Sequence, residues 1–287
     1  MTPLMGFERF LSRLPSLPPG RLLGLALGLA DLHHHRIVRR NLAFACPERS
    51  AADRRRLAWR IFQNYGVNLV EFFQMRFMRP ADVVRRLRLR GAEHVVSALR
   101  QGRGMIAVSG HLGSWEVGMQ VMPCVLGVKL TGVAKKFKSN LIESQVYAAR
   151  TRFGNEILYK KDALADMIRV LRGGGVLGLL VDMARRQDGV DVRFFGKRAT
   201  ATPAAALLAL RCRAPVVPMF CVREAGGALS VCAEPALEML RTSDLRGDLA
   251  ENTQRITDAV ERMVRRYPEQ WFWLMKRWKE HYPQLYE

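Results

Sequence analysis

The stretch Gly110-His111-Leu112-Gly113-Ser114-Trp115-Glu116 sets a histidine and a carboxylate five positions apart. On one continuous helix two such residues point about 140° away from each other, because each step turns about 100°. They meet only if His111 lies in a turn and Glu116 in the first two turns of the helix that follows, and Gly110 and Gly113 give the backbone that freedom. A carboxylate bonded to one ring nitrogen fixes the imidazole tautomer and raises the basicity of the other nitrogen, which then takes a proton from a hydroxyl. The adjacent helix N-terminus offers N–H groups to an oxyanion or a phosphate. Such a pair also arises by chance, so its surroundings decide.

Those surroundings are strands and helices in alternation. Gly104 to Ser109 is a short continuous apolar run, as a buried strand of a parallel sheet requires, and it leads straight into His111. The pattern predicts helices over Ser50 to Phe77, Ala92 to Gln101, Val117 to Leu126, Ser139 to Phe153, Ala163 to Arg172, Ala204 to Arg211 and Leu249 to Tyr267. It predicts strands over Val83 to Arg90, Lys129 to Ala134, Gly175 to Asp182, Ala214 to Val222 and Ala228 to Glu234. Alternation of this kind predicts an α/β fold with a mostly parallel central sheet flanked by helices.

The chain has 287 residues and a formal net charge of +20, which favours a polyanionic partner: nucleic acid, anionic lipid or an acidic carrier protein. Its five cysteines are scattered singly, without metal spacing, which predicts buried apolar thiols in a reducing compartment. His33-His34-His35 is not a metal site on a helix, where adjacent side chains point in different directions. The apolar segment Leu22 to Ala30, followed by Arg36, Arg39 and Arg40, predicts an N-terminal helix lying in or dipping into a membrane interface. An ordinary buried helix is the competing reading, since no apolar run reaches bilayer-spanning length. We therefore divide the chain into an N-terminal membrane-associated helical segment, 1–45, and a catalytic domain, 46–287.

Taken whole, His111-Leu112-Gly113-Ser114-Trp115-Glu116 resembles the His-x4-Asp/Glu motif of glycerolipid acyltransferases, and more narrowly that of the late acyltransferases of lipid A biosynthesis and their relatives that acylate phosphatidylinositol mannosides. Further blocks stand in the family's order. They are Arg39-Arg40-Asn41-Leu42-Ala43-Phe44-Ala45-Cys46-Pro47-Glu48, Arg150-Thr151-Arg152-Phe153-Gly154, Val181-Asp182, Val192-Arg193-Phe194-Phe195-Gly196 with Thr202-Pro203, and Pro268-Glu269-Gln270-Trp271-Phe272-Trp273-Leu274 through Arg277-Trp278-Lys279. The chain departs from many members in carrying Met183 after Asp182 and a weaker apolar N-terminal segment.

The resemblance implies transfer of a fatty acyl chain from an acyl carrier protein or coenzyme A thioester to a hydroxyl of a lipid A precursor or related glycolipid. His111 would be general base and Glu116 its orienting acid, with no metal and no cofactor. It implies substrate contacts from the Arg150 and Arg152 block, with Arg150 favoured because residues two apart face different sides of a helix. It also implies a site loop at Asp191 and Phe194, where packing of Phe194 and Phe195 in the core is the competing reading. Asp182 ends a strand at the presumed site edge, where it orders the site loop or substrate-facing basic residues, or else caps a turn. Gly113 completes the expected binding set. The implied place is the cytoplasmic face of a bacterial inner membrane, with acidic carrier protein and anionic lipid as partners in preference to nucleic acid. The alternatives are acylation of another lysolipid or glycolipid from acyl-CoA and, in a different class, a non-catalytic basic protein that binds membrane or nucleic acid.

Overall fold

A computed structural model describes residues 17–159, 163–184 and 188–287. Its helices are α1 (Leu17–Ala30), α2 (Leu32–Ala45), α3 (Ala51–Met75), α4 (Pro80–Arg86), α5 (Ala92–Leu99), α6 (Trp115–Leu126), α7 (Asn140–Thr151), α8 (Ala163–Arg172), α9 (Ala204–Cys212) and α10 (Leu245–Arg266). The strands are β1 (Leu87–Arg90), β2 (Met105–Ser109), β3 (Leu130–Ala134), β4 (Glu156–Tyr159), β5 (Val176–Leu180), β6 (Val190–Phe194), β7 (Lys197–Ala201), β8 (Val216–Arg223) and β9 (Leu229–Ala233).

Seven strands form one sheet in the order β1-β9-β8-β2-β5-β3-β4, while β6 and β7 form a separate antiparallel hairpin. Every neighbouring pair in the large sheet is parallel except β8 with β9. The expected α/β class with a mostly parallel sheet is therefore the observed one. Strand β2 lies centrally and is buried at Met105, Ile106, Ala107 and Val108, which explains its unbroken apolar run. Because β2, β3 and β5 run parallel, their carboxyl ends share one edge of the sheet. That edge is where open α/β sheets bind ligands.

One expectation is corrected in the first third of the chain. Val83 to Arg90 is not one strand: Pro80 opens α4 at its first turn, Asp82 in that turn is gripped by Arg79 and Arg85, and only Leu87–Arg90 pairs as β1. The N-terminal helix α1, expected at a membrane interface, is docked on protein along one face. No described helix is long and apolar enough to cross a membrane. Gly20, Gly24 and Gly28 are buried against α3, so close that a Cβ on Gly24 would stand 2.1 Å from the Phe62 carbonyl oxygen and one on Gly66 2.2 Å from that of Gly20. A helix that approaches its neighbour backbone to backbone is docked on protein. Leu22 and Leu29 remain on its outer side.

Helix α2 continues inward. Val38 and Leu42 are fully buried in the same core cluster as Leu57, Ile106 and Trp271, so packing runs without interruption across residue 45. Asn41 on α2 donates to the carbonyls of Trp273 and Met275, at 2.8 and 2.9 Å, and accepts from the Tyr286 hydroxyl. The histidines before it are also accounted for locally: His34 Nδ1 meets the Asp31 carboxylate at 2.6 Å, and His35 stacks on Phe62.

Candidate active site

His111 stands in the turn between β2 and α6, and Glu116 in the first turn of α6, the arrangement that their spacing demands. The turn is pinned from several sides. The His111 carbonyl accepts from Phe272 N–H at 2.9 Å, Gly113 N–H donates to the Gln270 carbonyl, and Ser114 N–H donates to the Cys221 carbonyl. Gly113 adopts φ +62°, and a Cβ there would sit 2.0 Å from the Cys221 carbonyl oxygen. Gly113 serves this close approach, and its N–H is engaged by the Gln270 carbonyl.

The carboxylate on the histidine is that of Asp182. His111 Nδ1 lies 2.7 Å from Asp182 Oδ1, while the His111 backbone N–H and the Trp271 indole N–H each donate to Oδ2 at 2.7 Å. Asp182 follows β5, next to β2 in the sheet, and its side chain is completely buried. Burial works against its charge, but His111 and the donors from His111 and Trp271 outweigh it and hold the carboxyl below its usual range. An ionised Asp182 requires the proton on Nδ1, so Nε2 becomes the basic atom. Enclosed in this way, Asp182 orders the turn that carries His111. Gly110 makes the room: a Cβ there would meet Asp182 Oδ2 at 3.0 Å.

Glu116, expected to orient the histidine, stands against Arg150, and the carboxylate on His111 Nδ1 is that of Asp182. Glu116 is held by Arg150 through two parallel bonds, Nε to Oε2 at 3.0 Å and an η-nitrogen to Oε1 at 2.5 Å. Burial opposes the charge on Arg150, while Glu116 restores it and raises the guanidinium above its ordinary value. Arg152, at the end of α7, points elsewhere, donating to the Met78 carbonyl at 3.1 Å and lying over the Phe153 ring. Of the two arginines only Arg150 is brought to Glu116.

Glu116 and Arg150 border an apolar cleft between α6 and the sheet, lined by Met119, Met122, Leu130, Val133, Ile157 and Leu180 among others. Ser109, two residues before His111, and Trp115, whose ring centroid lies 5.5 Å from the imidazole, also line it. The cleft is mostly apolar, with Glu116 and Arg150 as its charged lining.

Asp191 and Phe194 are placed away from this group. Asp191 lies half-exposed on β6, 2.7 Å from Arg198 and 2.8 Å from His281. Phe194 is 1% exposed and packs on Trp271 and Trp278 in the core. For Phe194, core packing is the observed placement. Trp271, Trp273 and Trp278 are likewise buried. Behind them Arg277 is almost wholly buried, donating to the Thr200 carbonyl at 2.5 Å. Loss of hydration lowers it to about 10, although the charge of Asp182 favours its charged form.

A second polar group escaped the sequence reading. Arg223, at the end of β8, grips both carboxylate oxygens of Glu71 and reaches Asn68 Oδ1 and Ser114 Oγ, each at 3.0 Å. Asn68 Nδ2 donates to the Gly113 carbonyl at 2.7 Å. This buried knot ties α3 and β8 to the first residues of α6. Its one visible signal was Asn68 recurring on the apolar stripe of α3 with Glu71 three places on.

Residues 18–280 match the family model for bacterial lipid A biosynthesis acyltransferases. The lipid A biosynthesis lauroyltransferase of Escherichia coli (strain K12) is 28% identical over 276 residues, covering 90% of this chain and 84% of its own length. A phosphatidylinositol mannoside acyltransferase of Mycobacterium tuberculosis (strain CDC 1551 / Oshkosh) is 26% identical over 247 residues, covering 84% and 76%. The lipid A biosynthesis myristoyltransferase of Escherichia coli (strain K12) is 24% identical over 246 residues, covering 85% and 74%.

Proposed function

From the premise that the chain belongs to the bacterial lipid A biosynthesis acyltransferase family, and is an acyltransferase, we propose that it moves a fatty acyl chain from a thioester to a hydroxyl of a lipid A precursor or related glycolipid at a membrane surface. The observation that carries the reaction chemistry is the His111–Asp182 bond beside a cleft whose charged lining is Glu116 and Arg150.

Asp182 keeps the proton on His111 Nδ1, and Nε2 removes the proton of the acceptor hydroxyl as its oxygen attacks the thioester carbonyl. Negative charge develops on the carbonyl oxygen. Arg150, fixed by Glu116, supplies a compensating charge in a cleft where water is scarce. When the intermediate collapses the C–S bond breaks and the imidazolium returns its proton to the leaving thiolate. Glu116 thus assists by holding Arg150, and the apolar cleft receives the acyl chain. The thioester brings its own activation, so the reaction as written draws on no cofactor and no metal.

Acyl carrier protein is the donor that this reading prefers, since an acidic carrier complements a chain of net charge +20. The cytoplasmic face of the inner membrane is the corresponding location. A second reading, acylation of another glycolipid or lysolipid from acyl-CoA, draws on the similarity to the phosphatidylinositol mannoside acyltransferase. An assay with both thioester donors, crossed with lipid A precursor, phosphatidylinositol mannoside and lysolipid acceptors, separates the two. Transfer to the lipid A precursor from the carrier thioester is expected, whereas transfer confined to the other acceptors would displace the first reading.

A further inference from the structure

We propose that the face carrying Phe73, the 135–138 loop and the start of α7 docks on an anionic phospholipid bilayer and presents the cleft to it. The inference rests on the acyltransferase reading for its purpose, but not for its geometry.

Strands β2, β3 and β5 end on the same edge of the sheet. From the first comes His111 and from the third Asp182 with Met183, which is 52% exposed. From β3, whose Val133 and Ala134 line the cleft, comes Lys135-Lys136-Phe137-Lys138, exposed throughout. Helix α7 follows, and it carries Leu141 at 72% and Ile142 at 51% exposure. The loop is not loose: Phe137 N–H donates to Glu143 at 2.7 Å, and the same carboxylate takes the Tyr159 hydroxyl.

Helix α3 joins this surface at its end, where Arg76 bonds to Gln145 of α7. Phe73 lies three residues before Arg76, and Leu141 and Ile142 lie four and three before Gln145. On a helix those spacings share a face, so Phe73, which is 61% exposed, looks out on the same side as Leu141 and Ile142.

Large apolar side chains that protrude together are costly in water and mark an interaction surface. Here lysines flank them, and Glu143, the one acid between Lys135 and Gln145, is already engaged. A bilayer satisfies both chemistries, with the leucine, isoleucine and phenylalanines at the acyl boundary and the lysine heads among anionic phosphates. Arg150 on α7 and Leu180 at the end of β5 place the cleft beside this face, so a lipid acceptor would reach it without leaving the membrane.

The test is flotation of the full chain with phosphatidylcholine vesicles, with and without phosphatidylglycerol, alongside an acyl-transfer assay in detergent. Three variants are compared: Lys135→Glu with Lys136→Glu and Lys138→Glu; Leu141→Ser with Ile142→Ser; and Leu22→Ser with Leu29→Ser on α1. The first two should each bind anionic vesicles at least about tenfold less well, while the α1 variant binds as wild type. All three should keep their melting temperature and their transfer rate in detergent. Unchanged vesicle binding by the first two variants, or a loss confined to the α1 variant, overturns the proposal. So does unchanged vesicle binding with a raised KM for the carrier thioester, which would assign the lysines to an acidic protein. A wild type that floats as expected but transfers no acyl group would sink the proposed function and leave the docking face standing.

Discussion

In the proposed reaction His111 depends on Asp182, 71 positions further along the chain, and that separation hides the partnership from a local reading of the sequence. The spacing between His111 and Glu116 is visible in one window, whereas the pairing of β2 with β5, which brings Asp182 beneath the imidazole, is not. Replacing Asp182 by Asn should lower turnover by about 10³-fold or more, because the amide no longer holds the Nδ1–H tautomer. Nitrogen-15 spectra of the imidazole should report that tautomer change, and an unaltered spectrum would argue against the role. The carboxyl also has a stability signature. Its folded pKa lies below the usual 3.8, so its contribution is fully present above that value and is lost as the pH falls through the lower, folded one. The melting-temperature gap between wild type and Asp182→Asn should therefore narrow as the pH falls below 3.8.

Elements hold these residues through contacts that mostly lie outside local pattern. The apolar runs at β2 and β5 and the periodicity of α3 were legible because burial writes itself into residue type at period two or 3.6. The β6–β7 hairpin was not, since Asp191, Arg193, Lys197 and Arg198 break any apolar signature. The buried pair Glu71 and Arg223 was equally silent, being polar residues on elements otherwise recognised by apolar ones. Removing one partner strands the other charge, so Glu71→Ala should cost about 3 kcal/mol and several degrees of melting temperature. Because Asn68 and Ser114 belong to the same knot, transfer should fall further than the stability loss alone explains. Gly113→Ala is expected to be worse still, since it combines a left-handed backbone with a collision at the Cys221 carbonyl. Chemical denaturation of the two variants checks both.

For the whole molecule, charge and resemblance pointed to an acyltransferase acting on an anionic surface, and the family match over residues 18–280 bears out the class. What length and charge could not reveal is where the apolar surface goes. The N-terminal leucine segment invites a membrane assignment, yet its glycines commit one face to α3, while Phe137, Leu141 and Ile142 attract no notice in sequence because they are scattered among polar neighbours. If the lysines of that face act electrostatically, vesicle binding should weaken steadily between low and physiological salt, as the Debye length shrinks to about 8 Å. Binding that does not respond to salt would remove charge from the account. The most direct test of the central claim is transfer from an acyl carrier thioester to lipid A precursor in detergent by wild type and by a folded His111→Ala variant. The account predicts transfer by the wild type and a loss of about 10³-fold or more in the variant, and equal transfer by both would contradict it.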